Sequence, residues 1–268
     1  MIDTVKYGPW AVIPGGSEGV GAAFARKLGK AGINLVLIAR KQGPLEEVAR
    51  AIRAESGVQV RTLAIDLTRP DMLERVREVT DDVDVGLLVY NAGASHRTGD
   101  FLDGTIDDAL QVILLNPVGQ ASLSYLFGKK MAARGRGGII LVGSLAGSAG
   151  AATVAAYGGA KAFTQIFAEG LWAEFKQHGI DVLCMVLGTT DTPALARVGM
   201  KFAPGEAADS GDIAQQGLDN IANGPVYLPP PVVEGFRKLG GMPRRQAAET
   251  LSGLLRSVQP SRPTSAHT

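Results

Sequence analysis

Trp10-Ala-Val-Ile-Pro-Gly-Gly-Ser-Glu-Gly-Val-Gly-Ala-Ala-Phe-Ala-Arg-Lys-Leu28 decides the fold. Trp10 to Ile13 is a strand-sized apolar run, Pro14 to Gly21 is a glycine-rich turn, and Ala22 to Leu28 carries apolar residues at helical spacing. Glycines at 15, 19 and 21 have the spacing G-x-x-x-G-x-G, which lets backbone N–H groups and a helix N-terminus face a pyrophosphate without a Cβ in the way. Taken alone, such a cluster could also be simply a tight turn.

The next strand pattern, Ile33 to Arg40, falls where the second strand of a βαβ unit belongs, and its carboxyl end is the place that meets an adenosine ribose. An acid there would accept from a 2′-hydroxyl. This chain offers Ala39, Arg40 and Lys41, so two cations stand where a 2′-phosphate would lie and NADP is the expected cofactor. The alternative is that both are solvated charges after a strand, and Glu18 in the turn adds an opposing charge nearby. Val60 to Asp66 reads as a third strand ending in an acid suited to an adenine amino group or to capping a helix that begins near Pro70. Val85 to Tyr90 is a fourth, stopping at Asn91-Ala-Gly93 on the edge where ligands bind in such sheets.

Tyr157 and Lys161 stand four apart in Tyr-Gly-Gly-Ala-Lys, with Ser144 thirteen residues upstream of Tyr157 in Leu-Val-Gly-Ser-Leu. Positions i and i+4 share a helix face, and a phenol beside a cation ionises more readily, which suits Tyr157 to proton exchange with an alcohol or carbonyl oxygen. A surface helix with an exposed lysine is the plain alternative. Gly158 and Gly159 argue against it, since glycine weakens a helix and suggests the close approach of something such as a cofactor. Ile106 to Met131 reads as one long helix containing Asn116-Pro117. Proline has no N–H for the Ile113 carbonyl, so a kink is expected, serving either a water site or only the curvature of the sheet.

These motifs, in this order, resemble the short-chain dehydrogenase/reductase family over roughly residues 8 to 235. The resemblance implies an α/β fold with a single Rossmann-like, doubly wound domain, a seven-stranded parallel sheet flanked by helices, and assembly as a homo-oligomer, tetramer or dimer. It implies Tyr157 as acid/base, Ser144 orienting the substrate oxygen, Lys161 binding the nicotinamide ribose and lowering the Tyr157 pKa, and Asn116 in a proton relay. The implied cofactor set is Gly15, Ser17, Glu18, Gly19, Val20, Gly21, Arg40, Lys41, Asp66, Leu67, Asn91, Ala92, Gly93, Tyr157, Lys161, Gly188, Thr190 and Thr192, with no metal. Pro14, Tyr90 and Leu187 depart from the family's usual threonine, asparagine and proline. Lys6 to Trp10, the glycine turn, Tyr157 to Phe163 and Leu187 to Pro193 resemble the NADP-dependent 7β-hydroxysteroid dehydrogenase branch, whose members interconvert 7-keto and 7β-hydroxy bile acids.

The expected reaction is therefore interconversion of a secondary alcohol and a ketone on an apolar, steroid-like substrate. A reductase of another apolar or acyl-linked ketone and a non-catalytic NADP-binding sensor are the competing readings. Ala194 to Phe202 is expected either to close over an apolar ligand or to form an amphipathic helix with Leu195, Val198 and Phe202 inward, and Arg197 and Lys201 could meet a substrate carboxylate.

At 268 residues, with 46% hydrophobic content, the chain can bury one large core, and residues 1–257 are expected to form one domain followed by a disordered tail, 258–268. A net charge of +1 with dispersed cations gives no support to nucleic-acid binding. Without an apolar run of membrane length or a signal-like start, no membrane partner and a cytoplasmic location are expected. Cys184, the one cysteine, excludes an intrachain disulfide and reads as core. Residues 211–221 read as a helix, 224–231 as a last strand ended by prolines, and two short helical patterns follow to about Ser257.

Overall fold

The computed structural model describes residues 2–93, 98–197 and 207–258. Seven strands run parallel: β1 Trp10–Pro14, β2 Asn34–Ala39, β3 Val60–Ala64, β4 Val85–Tyr90, β5 Gly137–Ser144, β6 Ile180–Leu187 and β7 Val226–Tyr227. The sheet order is β3-β2-β1-β4-β5-β6-β7. The helices in chain order are α1 Thr4–Tyr7, α2 Gly19–Lys30, α3 Gln42–Ser56, α4 Met72–Glu78, α5 Ile106–Ile113, α6 Gly119–Arg134, α7 Ala155–Phe175, α8 Pro193–Arg197, α9 Ser210–Asn220, α10 Pro230–Gly241 and α11 Arg244–Val258.

The central strands are unbroken apolar runs because helices cover both faces and every second side chain serves a different core. Ala11, Ile13, Leu35, Leu37, Leu87 and Met185 pack against α2, α3 and α9 through Phe24, Leu28, Ile52 and Leu218. Val12, Val36, Ile38, Leu88, Leu141 and Cys184 face α4, α6 and α7 through Val76, Phe127 and Leu171. Phe24 is fully enclosed, and truncating it to Ala would cost about 3–5 kcal/mol. Cys184 is a core residue, as the sequence suggested.

After β3 the chain crosses back to place β4 on the other side of β1, so the helices on either flank leave a crevice at the carboxyl ends of β1 and β4. Asn91 and Ala92 N–H groups both donate to the Pro14 carbonyl, at 3.0 and 2.8 Å, and the Asn91 amide donates to Gly15 O at 3.1 Å. The two loops that flank the crevice are thereby tied together.

Three local expectations change. The long helix over 106–131 is divided: α5 and α6 are joined by a π-helical turn, Leu114–Val118, which absorbs the missing N–H of Pro117. Helix α4 takes Asp71 as its N-cap residue, while Asp66 accepts from Thr68 N–H and hydroxyl, at 3.0 and 2.8 Å, in an Asx turn. The last strand keeps only two paired residues, because Pro225, Pro229, Pro230 and Pro231 cannot donate to a ladder and Pro230 instead opens α10. No helix among the described residues is long and apolar enough to cross a membrane.

Candidate active site

A cleft of about 850 Å³ opens at the crevice and runs from the α2 N-terminus to Tyr157. The glycine turn lines one end. Gly15 has φ +83°, and a Cβ on Gly21 would meet Gly15 O at 2.0 Å, so the turn is closed by backbone packed on backbone. Glu18 is the N-cap residue of α2 but provides no capping hydrogen bond, leaving the first N–H groups of a twelve-residue helix without a side-chain cap beside the cleft. Such an end favours an anion, and it fits the pyrophosphate of a nicotinamide dinucleotide.

On the cleft wall beyond β2, Arg40 and Lys41 are exposed, and Lys41 is the N-cap residue of α3, again without a side-chain cap. Asp66 and Leu67 lie on the same wall. Glu18 does not stand there as a free negative charge. Arg197 in α8 reaches across the cleft and pairs with it through both terminal nitrogens, Nη1 donating to Oε2 at 2.8 Å and Nη2 to Oε1. That hydrogen-bonded pair, together with the nearby charges of Lys41 and Arg40, holds the Glu18 carboxyl below its usual range. The expected use of Arg197 toward a substrate carboxylate is therefore not what the geometry presents. Lys201, Val198 and Phe202 lie outside the described residues, as does the expected tail beyond Val258.

At the other end, β5 delivers Ser144 and the first turn of α7 delivers Tyr157. Both line the cleft, and the Ser144 hydroxyl accepts from Ala146 N–H at 3.2 Å while acting on the Tyr157 phenol as a neighbouring polar group. Lys161 is 3% exposed, its Nζ donates to Val142 O at 2.8 Å, and it sits 5.6 Å from the centre of the Tyr157 ring. Burial pulls the lysine down to about 8. Burial also raises the phenol, and it is the neighbouring Ser144 hydroxyl that works the other way. The expected depression of Tyr157 by Lys161 does not appear among the influences on the phenol, which burial raises and only Ser144 lowers.

Asn116 sits in the π turn, fully buried, behind Gly93. Its amide donates to Val112 O at 3.0 Å and its Oδ1 has no partner. A Cβ on Gly93 would lie 2.2 Å from Asn116 Oδ1 and 2.9 Å from Lys161 Nζ, so the loop after β4, Asn116 and Lys161 meet at one point. An orphaned acceptor beside an ammonium with donors to spare is a polar niche at the cleft floor, which suits the ribose hydroxyls of a dinucleotide. Every residue expected to line the site does so except Gly21 and Asn116, which lie just behind the wall. Gly188, Thr190 and Thr192 complete the side facing the glycine turn, where a Cβ on Gly19 would come within 2.9 Å of Thr192.

Gly158 has another cause than a ligand. A Cβ on Gly158 would meet Ala146 O at 3.0 Å, so the protein's own loop makes the close approach, and Gly159 faces open space. Two residues were missed by sequence reasoning. Thr153 lines the cleft with φ +68°, a strained setting for a β-branched residue, held by Gly99 N–H donating to its carbonyl at 2.9 Å. Tyr90, noted only as a departure from a pattern, donates to Leu115 O at 2.6 Å and so satisfies a carbonyl of the π turn. No group of three metal-ligating side chains occurs among the described residues.

The profile of the short chain dehydrogenase family matches residues 9–201. The very-long-chain 3-oxoacyl-CoA reductase of Podospora anserina is 32% identical over 231 residues, 84% of this chain and 68% of that protein. The 7β-hydroxysteroid dehydrogenase of Clostridium sardiniense is 34% identical over 188 residues, 70% of this chain and 72% of that protein. A short-chain dehydrogenase from Sphingobium yanoikuyae, solved in complex with NADPH, superposes with a TM-score of 0.77 at 29% identity, covering 97% of this chain and 100% of that one. With the parallel sheet, the glycine turn at its switch point and these matches together, the chain belongs to the short-chain dehydrogenase/reductase family of oxidoreductases.

Proposed function

We propose that the protein interconverts a secondary alcohol and a ketone with NADP(H), on an apolar, steroid-like substrate, with Tyr157 as the acid/base. The observation that carries the chemistry is the convergence of the Tyr157 oxygen and the Ser144 hydroxyl on one cleft wall, with Lys161 buried beneath. When bound, the cofactor supplies hydride to the carbonyl carbon, so that ketone, NADPH and one proton become secondary alcohol and NADP⁺. Tyr157 gives its phenolic proton to the developing alkoxide and regains one from solvent. Its raised pKa keeps that proton in place at neutral pH, which suits the reductive direction. Ser144 donates to the same oxygen, a fixed dipole aimed where charge develops. Lys161, cationic below about pH 8, holds ribose hydroxyls with the donors that Val142 does not take. Asn116, buried behind Gly93 with its Oδ1 unpaired, takes the proton-relay role.

Arg40 and Lys41, with no acid at the end of β2, support NADP over NAD, and the structural relative bound to NADPH agrees with that preference. The substrate reading draws on the relationship to 7β-hydroxysteroid dehydrogenases and on the apolar wall beyond Ser144 formed by Phe101, Ala109, Val112 and Val154. The similarity to a 3-oxoacyl-CoA reductase favours a second reading, an acyl-linked ketone. NADPH oxidation against 7-keto and 3-keto steroids, β-ketoacyl thioesters and small aromatic ketones separates the two. Turnover of a 7-ketosteroid to the 7β-alcohol supports the first; turnover of thioesters alone replaces it with the second. Tight NADPH binding with no turnover of any of them would contradict catalysis by Tyr157.

A further inference from the structure

Glu18 and Arg197 are 179 positions apart and belong to different walls of the cleft: one precedes α2 at the glycine turn, the other ends α8 after β6. Their side chains remain partly exposed, at 38% and 54%, so the pair contributes little to folding. Its position gives it another consequence. Glu18 lies close enough to Arg40 and Lys41 for their charges to act on its carboxyl. A bare carboxylate at that place would oppose a 2′-phosphate drawn to Arg40 and Lys41, and it would offer an acceptor to a 2′-hydroxyl.

We propose that Arg197 is a specificity-determining residue for the phosphorylated cofactor: by engaging both oxygens of Glu18 it offsets an acidic group that would disfavour a 2′-phosphate at Arg40 and Lys41. The inference rests on the NADP reading above and deepens it. Arg197 acts through Glu18, so it is a positioning residue, and its effect is confined to the difference between the two dinucleotides. The pyrophosphate and nicotinamide, common to both, give NADPH and NADH the same response. A single uncompensated charge at the edge of a solvated phosphate site corresponds to about a 10-fold change in affinity.

The test is a double-mutant cycle on the full chain, reading Kd for NADPH and for NADH by fluorescence titration at fixed ionic strength in the wild type, Arg197→Ala, Glu18→Gln and the double variant. The expected result is NADPH binding weakened about 10-fold in Arg197→Ala, with NADH unchanged or slightly tighter, and NADPH binding restored to within about 2-fold of wild type in the double variant. Equal loss for both dinucleotides in Arg197→Ala would overturn the proposal, placing Arg197 on the shared pyrophosphate or in the fold. A double variant as weak toward NADPH as Arg197→Ala would also overturn it, because Arg197 would then act on the 2′-phosphate directly. The wild-type NADPH-to-NADH ratio tests the underlying cofactor reading, whereas the change in that ratio on removing Arg197 tests this inference. Thermal melting of each variant identifies any that fails to fold.

Discussion

The two ends of the cleft are built by opposite means. At the Tyr157 end the groups are sunk in protein: Lys161 and Asn116 are buried, and their bonds go to the carbonyls of Val142 and Val112. At the Arg40 end the groups are solvated cations on loop residues, balanced by an exposed ion pair. Burial shifts pKa values and fixes geometry, whereas exposed charges are screened and adjustable. The first end is therefore suited to moving a proton at a set place, and the second to choosing between two soluble dinucleotides that differ by one phosphate.

If this division holds, substitutions at the two ends should fail in different ways. The largest expected effect is Tyr157→Phe, which removes the exchangeable proton and leaves the ring. Reduction kcat should fall by about 10²–10⁴, with the Kd for NADPH nearly unchanged, as read by steady-state assay and titration. A smaller effect is expected from Arg40→Ala with Lys41→Ala. The KM for NADPH should rise roughly 10- to 100-fold, with kcat and the NADH parameters little changed. If kcat falls instead, the two ends are not separable.

Tyr90→Phe probes what supports the buried end. It leaves the Leu115 carbonyl without its donor, which should cost about 1–3 kcal/mol and lower Tm by several degrees, measured by calorimetry. The smallest effect is a pH dependence. The folded protein holds the pKa of Lys161 at about 8, below its value in an unfolded chain, so the unfolded state binds more protons above that point. Stability of the apoprotein should consequently rise with pH from about 8 toward 9, by about 1 kcal/mol relative to Lys161→Met. Cys184, whose thiol burial pushes up to about 12, acts the opposite way only above about pH 9, beyond the window compared.

The buried end was also the more legible in the sequence. Ser144, Tyr157 and Lys161 are close in the chain, and a strand followed by an i, i+4 pair carries them to one wall through regular geometry. The glycine turn was readable because G-x-x-x-G-x-G has few other uses between a strand and a helix. What escaped depended on contacts between distant segments. Glu18 looked like a misplaced charge because its partner lies 179 positions further along the chain. The Pro117 site was expected to kink, but its π turn depends on Tyr90 from β4 and on the Asn116 side chain. Thr153 takes a left-handed backbone with no glycine or asparagine to signal it. Asp66 had the composition of a cap, but it is spent on the turn at Thr68 and the N-cap position of α4 falls to Asp71.

The measurement that tests the account most directly is kcat/KM for NADPH and for NADH on a single reducible apolar ketone, in parallel at one ionic strength. The account predicts turnover with NADPH favoured by about 10-fold or more, consistent with two cations at the 2′ position. Equal values for the two dinucleotides, or preference for NADH, would contradict it.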